Sequence, residues 1–232
     1  MSRNILITGG TGALGTAVVE KFLKNGDTVL VTDIREASDN FLNSFSDYKT
    51  KLKTYKVNVV NEQELKDFST QVKESFGGIN ILVNIVGGFS MSKIAETNET
   101  ELDKMLSMNL KSAFFTSKTF ISQITEKENG RIINIAARAG LHGVGGMGPY
   151  CISKAGVISL TETLSEELKE TSTTVNAILP STIDTEPNRK SMPGADFSRW
   201  VSPMDIANVI FFLASKEARA ISGASIPVYY KA

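Results

Sequence analysis

The sequence predicts an α/β domain on an open, mostly parallel sheet of about seven strands, doubly wound so that helices cover both faces. Three observations predict it. Short apolar, β-rich runs alternate with polar segments of helical spacing. The apolar runs are continuous, as strands buried on both faces require. A glycine-rich turn stands between the first run and the first helical segment. Strands alternating with helices build right-handed βαβ units, and hence a parallel sheet.

The expected strands lie at 5–7, 29–32, 52–57, 79–86, 131–136, 174–179 and 224–229. Helical spacing occupies 12–24, 62–76, 101–125, 150–169 and 203–214. No repeat, low-complexity tract or Pro/Ser-rich linker divides the chain, so residues 1–232 are expected to form one domain. The one long irregular stretch, 180–203, carries four of the six prolines. A loop that long inside a compact domain is usually a lid or binding loop, so 181–203 is expected to be the substrate loop.

Composition narrows the partners. Twenty-five Lys plus Arg balance 25 Asp plus Glu, so no global basic field exists to hold nucleic acid or an anionic membrane. Cys151 is the only cysteine, which excludes an internal disulfide and a Cys-rich metal centre; no metal site is expected. No apolar stretch approaches the roughly 20 residues of a membrane span. The apolar run at 5–7 is too short for a signal core, and the end Tyr229-Tyr230-Lys231-Ala232 is no lipidation box. A cytoplasmic protein acting on a small molecule is expected.

Gly10, Gly12 and Gly15 have the G-x-G-x-x-G spacing between a strand and a helix. Glycines there permit a tight turn, close approach of backbone to a pyrophosphate and close packing of helix on strand, while the helix amino terminus faces the phosphates. This is the turn of a Rossmann-type nucleotide fold, with Gly9, Thr11, Gly12, Ala13, Leu14 and Gly15 around the phosphates. Asp33, 18 residues beyond Gly15, stands where a carboxylate accepts from a ribose 2′-hydroxyl and repels a 2′-phosphate. NAD(H) is therefore the expected cofactor and NADP(H) the alternative, since Arg35 two residues on could serve a phosphate. Tyr150 and Lys154, four apart, share one helix face. A neighbouring ammonium would favour the ionised phenol and bring its proton exchange nearer neutral pH.

With these motifs the chain resembles the short-chain dehydrogenase/reductase family over essentially its whole length. The marks are the opening TGGTGALG, Val83-Asn84-Ile85-Val86-Gly87, Met108-Asn109-Leu110, Tyr150 with Lys154, and Val175-Asn176-Ala177-Ile178-Leu179-Pro180. The resemblance implies that Tyr150 donates or accepts the proton, that Lys154 binds the nicotinamide ribose and assists Tyr150, and that Asn109 holds a water of the proton relay. It further implies cofactor contacts at Ile34, Asn58, Val59, Asn84, Ile85, Val86, Pro180, Ile183 and Thr185, and a homodimer or homotetramer paired through the helices around 101–125 and 150–169.

The chain also departs from the family. Ala137, 13 residues before Tyr150, stands where the family has its catalytic serine, so one hydrogen bond to a substrate oxygen is missing. Dihydropteridine reductases share that substitution. The resemblance to them is strongest in Leu179-Pro180-Ser181-Thr182-Ile183-Asp184-Thr185 and in the stretch from Asn188 to Trp200, while Gly87-Gly88-Phe89 is similar to their Gly-Gly-Trp. The expected reaction is hydride transfer from the nicotinamide to a quinonoid dihydropterin, with Phe89, Ala137, Met147 and Trp200 at the substrate. A carbonyl or 3-oxoacyl reductase using Tyr150 alone and a catalytically silent NAD(H)-binding protein are the alternatives.

Overall fold

Ile5, Leu6 and Ile7 show how the sheet is built, because each side chain is fully buried yet they alternate between two cores. Ile5 and Ile7 face one layer with Val29, Val31, Ile81 and Val83, whereas Leu6 faces the other with Leu30, Leu82 and Ile132. Side chains of a strand alternate in direction, so two buried faces demand an unbroken apolar run. The computed structural model describes residues 3–231; Met1, Ser2 and Ala232, the outermost residues of the expected domain, lie outside the described residues.

The strands are β1 (Asn4–Thr8), β2 (Thr28–Asp33), β3 (Leu52–Lys56), β4 (Ile81–Asn84), β5 (Arg131–Ile135), β6 (Thr174–Pro180) and β7 (Ser225–Val228). They form one seven-stranded sheet in the order β3-β2-β1-β4-β5-β6-β7. Every pairing is parallel. The expected single-domain, doubly wound sheet is what the chain builds.

On the first face α1 (Ala13–Lys24) packs through Val18, Val19 and Phe22 against α9 (Pro203–Leu213). The second face is covered by α3 (Glu62–Phe76), α5 (Ser112–Thr125) and α7 (Gly148–Glu167), which bury Leu65, Phe68, Phe120 and Leu164. Each such side chain contributes about 1.5–3 kcal/mol of burial. Asn61 caps α3 by accepting from the amides of Gln63 and Glu64, and Gly77 ends it in the left-handed conformation.

Two expected elements are corrected. The helix read over 101–125 is three pieces: α4 (Glu99–Met105), a π-helical turn over Leu106–Lys111, and α5. The stretch 180–203 is not wholly irregular, since it contains α8 (Glu186–Ser191), capped by Thr185, and a 3-10 turn at Phe197–Arg199. Two further short helices, α2 (Asp39–Ser44) and α6 (Arg138–Leu141), lie in connections.

The strand order reverses beside β1, which has β2 on one side and β4 on the other. In open parallel sheets ligands bind outside the carboxyl ends of the strands at such a switch point. The candidate residues gather there.

Candidate active site

The turn after β1 is held from both sides. Gly9 adopts φ +67°, which favours glycine, and its amide donates to the Thr32 carbonyl at 2.7 Å. A Cβ on Gly15 would lie 2.3 Å from the Gly9 carbonyl oxygen, so α1 meets the turn too closely for any side chain. Gly12 caps α1 without a side-chain hydrogen bond, and a Cβ there would meet nothing nearer than 3.5 Å. The first amides of α1 thus face an approach that glycine keeps open, which fits a dinucleotide pyrophosphate.

Asp33 ends β2 and accepts from the Thr11 hydroxyl, a contact that fixes the carboxylate beside the glycine turn. Ile34 next to it is 60% exposed. Across the switch point the Thr8 hydroxyl accepts from the amides of Ile85 and Val86 at 3.1 and 3.3 Å, holding the end of β4 against the turn. Asn58 accepts from the Val60 amide, whereas Val59 is buried in the second core layer and serves that core with its side chain.

Asn84 is placed differently from a ligand-facing side chain. Its amide donates to Asn134 at 2.9 Å and Ser117 at 3.2 Å, its oxygen accepts from Thr116 at 2.6 Å, and Asn134 goes on to Thr161. This buried chain joins β4, β5, α5 and α7, leaving the Asn84 side chain no donor for a cofactor.

Tyr150 and Lys154 project from the first turns of α7, beside the end of β5. Lys154 is 5% exposed, and its Nζ donates to the Ile135 carbonyl at 2.7 Å. Burial lowers it to about 8. Burial also pushes Tyr150 up to about 12, with nearby Cys151 adding to the rise. In the protein alone Lys154 serves a carbonyl, and desolvation is the largest influence on both groups. Cys151 itself is buried, with its Sγ against the Val144 backbone.

Asn109 sits in the π turn, 1% exposed. Its oxygen accepts from the Gly88 amide at 2.9 Å; its nitrogen donates to the Gly88 carbonyl at 3.1 Å and to Ser153 Oγ at 2.9 Å. An amide has two donor hydrogens, so the expected water of a proton relay finds no free donor on this side chain. Sequence reasoning missed the clamp on Gly88 and the link to Ser153. A Cβ on Gly87 would lie 2.7 Å from Asn109 Oδ1 and 3.2 Å from Lys154 Nζ, which shows how tightly the loop after β4 covers both.

The expected substrate residues separate. Phe89, 57% exposed, sets its ring against Tyr150, with centroids 5.0 Å apart at 80°. Ala137 is buried at the start of α6, and Met147 is the half-buried cap of α7. Trp200 is 9% exposed and packs on Phe197, with ring centroids 4.8 Å apart. Ser90 was not foreseen; its hydroxyl is buried without a hydrogen-bond partner beside Phe89. Pro180 ends β6, the Ile183 carbonyl accepts from Asn188, and Thr185 caps α8, so the three share the strand end and its loop. Among the described residues no group of three or more His, Cys, Asp or Glu could hold a metal, and no helix is long and apolar enough to cross a membrane.

The sequence pattern of the short chain dehydrogenase family matches residues 3–195. A 3-oxoacyl-(acyl-carrier-protein) reductase of Thermotoga maritima is 30% identical, the match covering 96% of this chain and 94% of the relative. An uncharacterized oxidoreductase of Bacillus subtilis is 32% identical, covering 94% and 92%. Among solved structures, ElxO with NADP bound superposes with a TM-score of 0.91 at 27% identity, covering 98% of this chain and 97% of that one. Ligand-free aldohexose dehydrogenase of Thermoplasma acidophilum gives 0.86 at 25%, covering 98% and 92%.

Proposed function

As the chain belongs to the short-chain dehydrogenase/reductase family and is an oxidoreductase of that family, we propose that it is an NAD(P)H-dependent carbonyl reductase, with 3-oxoacyl compounds as its substrate class. The observation that carries this is the juxtaposition of Tyr150 and Lys154 at the end of β5 with the glycine turn across the switch point. The similarity to 3-oxoacyl reductases supports the choice of substrate class. When bound, the nicotinamide supplies the hydride. The residues 9–15 would cradle the pyrophosphate, Asp33 the adenosine ribose and Lys154 the nicotinamide ribose. The Tyr150 hydroxyl, kept protonated by burial, holds the proton that the reduced oxygen needs. The 181–203 segment would cover the substrate.

A second reading, reduction of a quinonoid dihydropterin, is favoured by Ala137 and by exposed Phe89. A conjugated ring accepts hydride without a serine donor on a ketone oxygen. A panel of NADH and NADPH oxidation with 3-oxoacyl thioesters, small ketones, quinones and quinonoid dihydropterin tests both; turnover of the dihydropterin alone would replace the carbonyl reading.

The cofactor reading is NAD(H), because Asp33 is fixed beside the turn where a 2′-phosphate would lie. Like charges in partly desolvated contact repel by several kcal/mol. Fluorescence titration should show tighter NADH than NADPH binding; equal or reversed affinities would mean that Arg35 governs the site. The exposed Phe114 of α5 and Ile152 of α7 support pairing of two or four copies through these helices, which light scattering would test.

A further inference from the structure

Tyr150 is gripped twice by one closed circuit of contacts. Its main-chain carbonyl accepts from Ser153 Oγ at 2.8 Å. Ser153, fully buried, accepts from Asn109, which clamps both backbone groups of Gly88. The next residue, Phe89, returns to the Tyr150 ring edge-on. The loop is pinned again beyond Phe89, where the Gly148 amide donates to the Ser92 carbonyl at 3.3 Å and Ser92 bridges Met147. Phe89 is therefore held between two anchors, one on each side of it.

The Phe89 ring is 57% exposed, so the two backbone anchors and its contact with Tyr150, rather than burial, set its position. Edge-to-face contact between aromatic rings is directional and fixes one ring against the other.

We propose that Phe89 is a positioning residue: it braces the Tyr150 ring and shields it from water, and Ser153 and Asn109 carry the brace into α7. The proposal rests on Tyr150 being the proton donor. The circuit does not extend to Ala137 or to the 181–203 segment, so the brace is present before substrate arrives.

Two readouts test it, one of them independent of turnover. In protein carrying 13C-labelled tyrosine, the Tyr150 phenol resonance is assigned by its loss in Tyr150→Phe and titrated with and without NADH. Phe89→Ala should lower its titration midpoint towards that of an ordinary phenol, because the ring opens to water. The same variant should lower kcat about tenfold with cofactor Kd within twofold, since one aromatic contact is worth about that factor. Phe89→Trp, which keeps an aromatic edge, should retain both properties. Ser153→Ala should lower kcat a few-fold, and its effect should shrink when combined with Phe89→Ala, because both cut one circuit. An unchanged midpoint in Phe89→Ala overturns the proposal, as does an effect confined to KM, which would make Phe89 a wall of the substrate cleft only. If no panel substrate is turned over, the functional reading fails while the phenol titration still decides the brace.

Discussion

If the substrate oxygen meets position 137, as the carbonyl-reductase reading has it, the methyl group of Ala137 leaves it one donor fewer, and the two substrate classes should feel this differently. Charge develops on a single oxygen when a ketone accepts hydride, so a preorganised donor there is worth about 10²–10³-fold, less when grafted. In a conjugated pterin the charge spreads over the ring. Ala137→Ser should thus raise kcat/KM for a 3-oxoacyl or ketone substrate and leave it unchanged or lower for a quinonoid dihydropterin, since Ala137 is already buried and an added hydroxyl crowds its surroundings. Steady-state kinetics with both substrates in both proteins checks this. A large gain with the pterin would remove the case for that substrate. The absence of the serine is legible in the sequence, but the unpaired Ser90 hydroxyl beside Phe89 is not, because nothing in spacing reports a missing partner.

Among the elements, the turn between β1 and α1 makes the sharpest demands on residue type. Gly12 and Gly15 stand on the same helix start, yet an added Cβ makes only an ordinary van der Waals contact at 3.5 Å at one and meets backbone at 2.3 Å at the other. Gly12→Ala should fold with nearly unchanged stability and bind NADH at least tenfold more weakly, because only the approach of the pyrophosphate is blocked. Gly15→Ala should lose both, at about 1–3 kcal/mol in stability, since backbone must move. Urea denaturation and cofactor titration of the two variants separate these outcomes; equal stability would mean that the turn shifts without strain. This turn and the strands were readable because their pattern is local. Residues 101–125 were read as one helix because a π turn adds a residue to the hydrogen-bonded ring without altering the apolar spacing much. The Asn109 clamp on Gly88 is formed from that turn, so apolar spacing does not reveal it. The α8 signals, a capping Thr185 and a Pro in the first turn, were present but outweighed by the prolines around them.

At the scale of the whole molecule, the site sets its own pH dependence of stability. In the unfolded chain Lys154 titrates near its ordinary value of 10.5, whereas burial lowers it to about 8 in the fold. Between those values the unfolded chain binds a proton that the native protein lacks, so stability rises with pH across the window. The gain approaches about 3 kcal/mol at its upper end. Below pH 8 both states are protonated and the buried ammonium is a standing cost, partly offset by the Ile135 carbonyl. Tyr150 acts oppositely. Its folded value is raised from 10.0 to about 12, so its contribution is complete below pH 10 and is lost as pH rises through 12. Together they should place the maximum of this local contribution near pH 10. Lys154→Met keeps an apolar stem of similar length and removes the ammonium. Urea unfolding at pH 7.5 and 9.5 should therefore show wild type gaining stability relative to Lys154→Met, because the remaining groups cancel in the difference. Parallel behaviour of the two proteins would mean that Lys154 remains charged in the fold throughout, and that the Ile135 carbonyl compensates its burial in full.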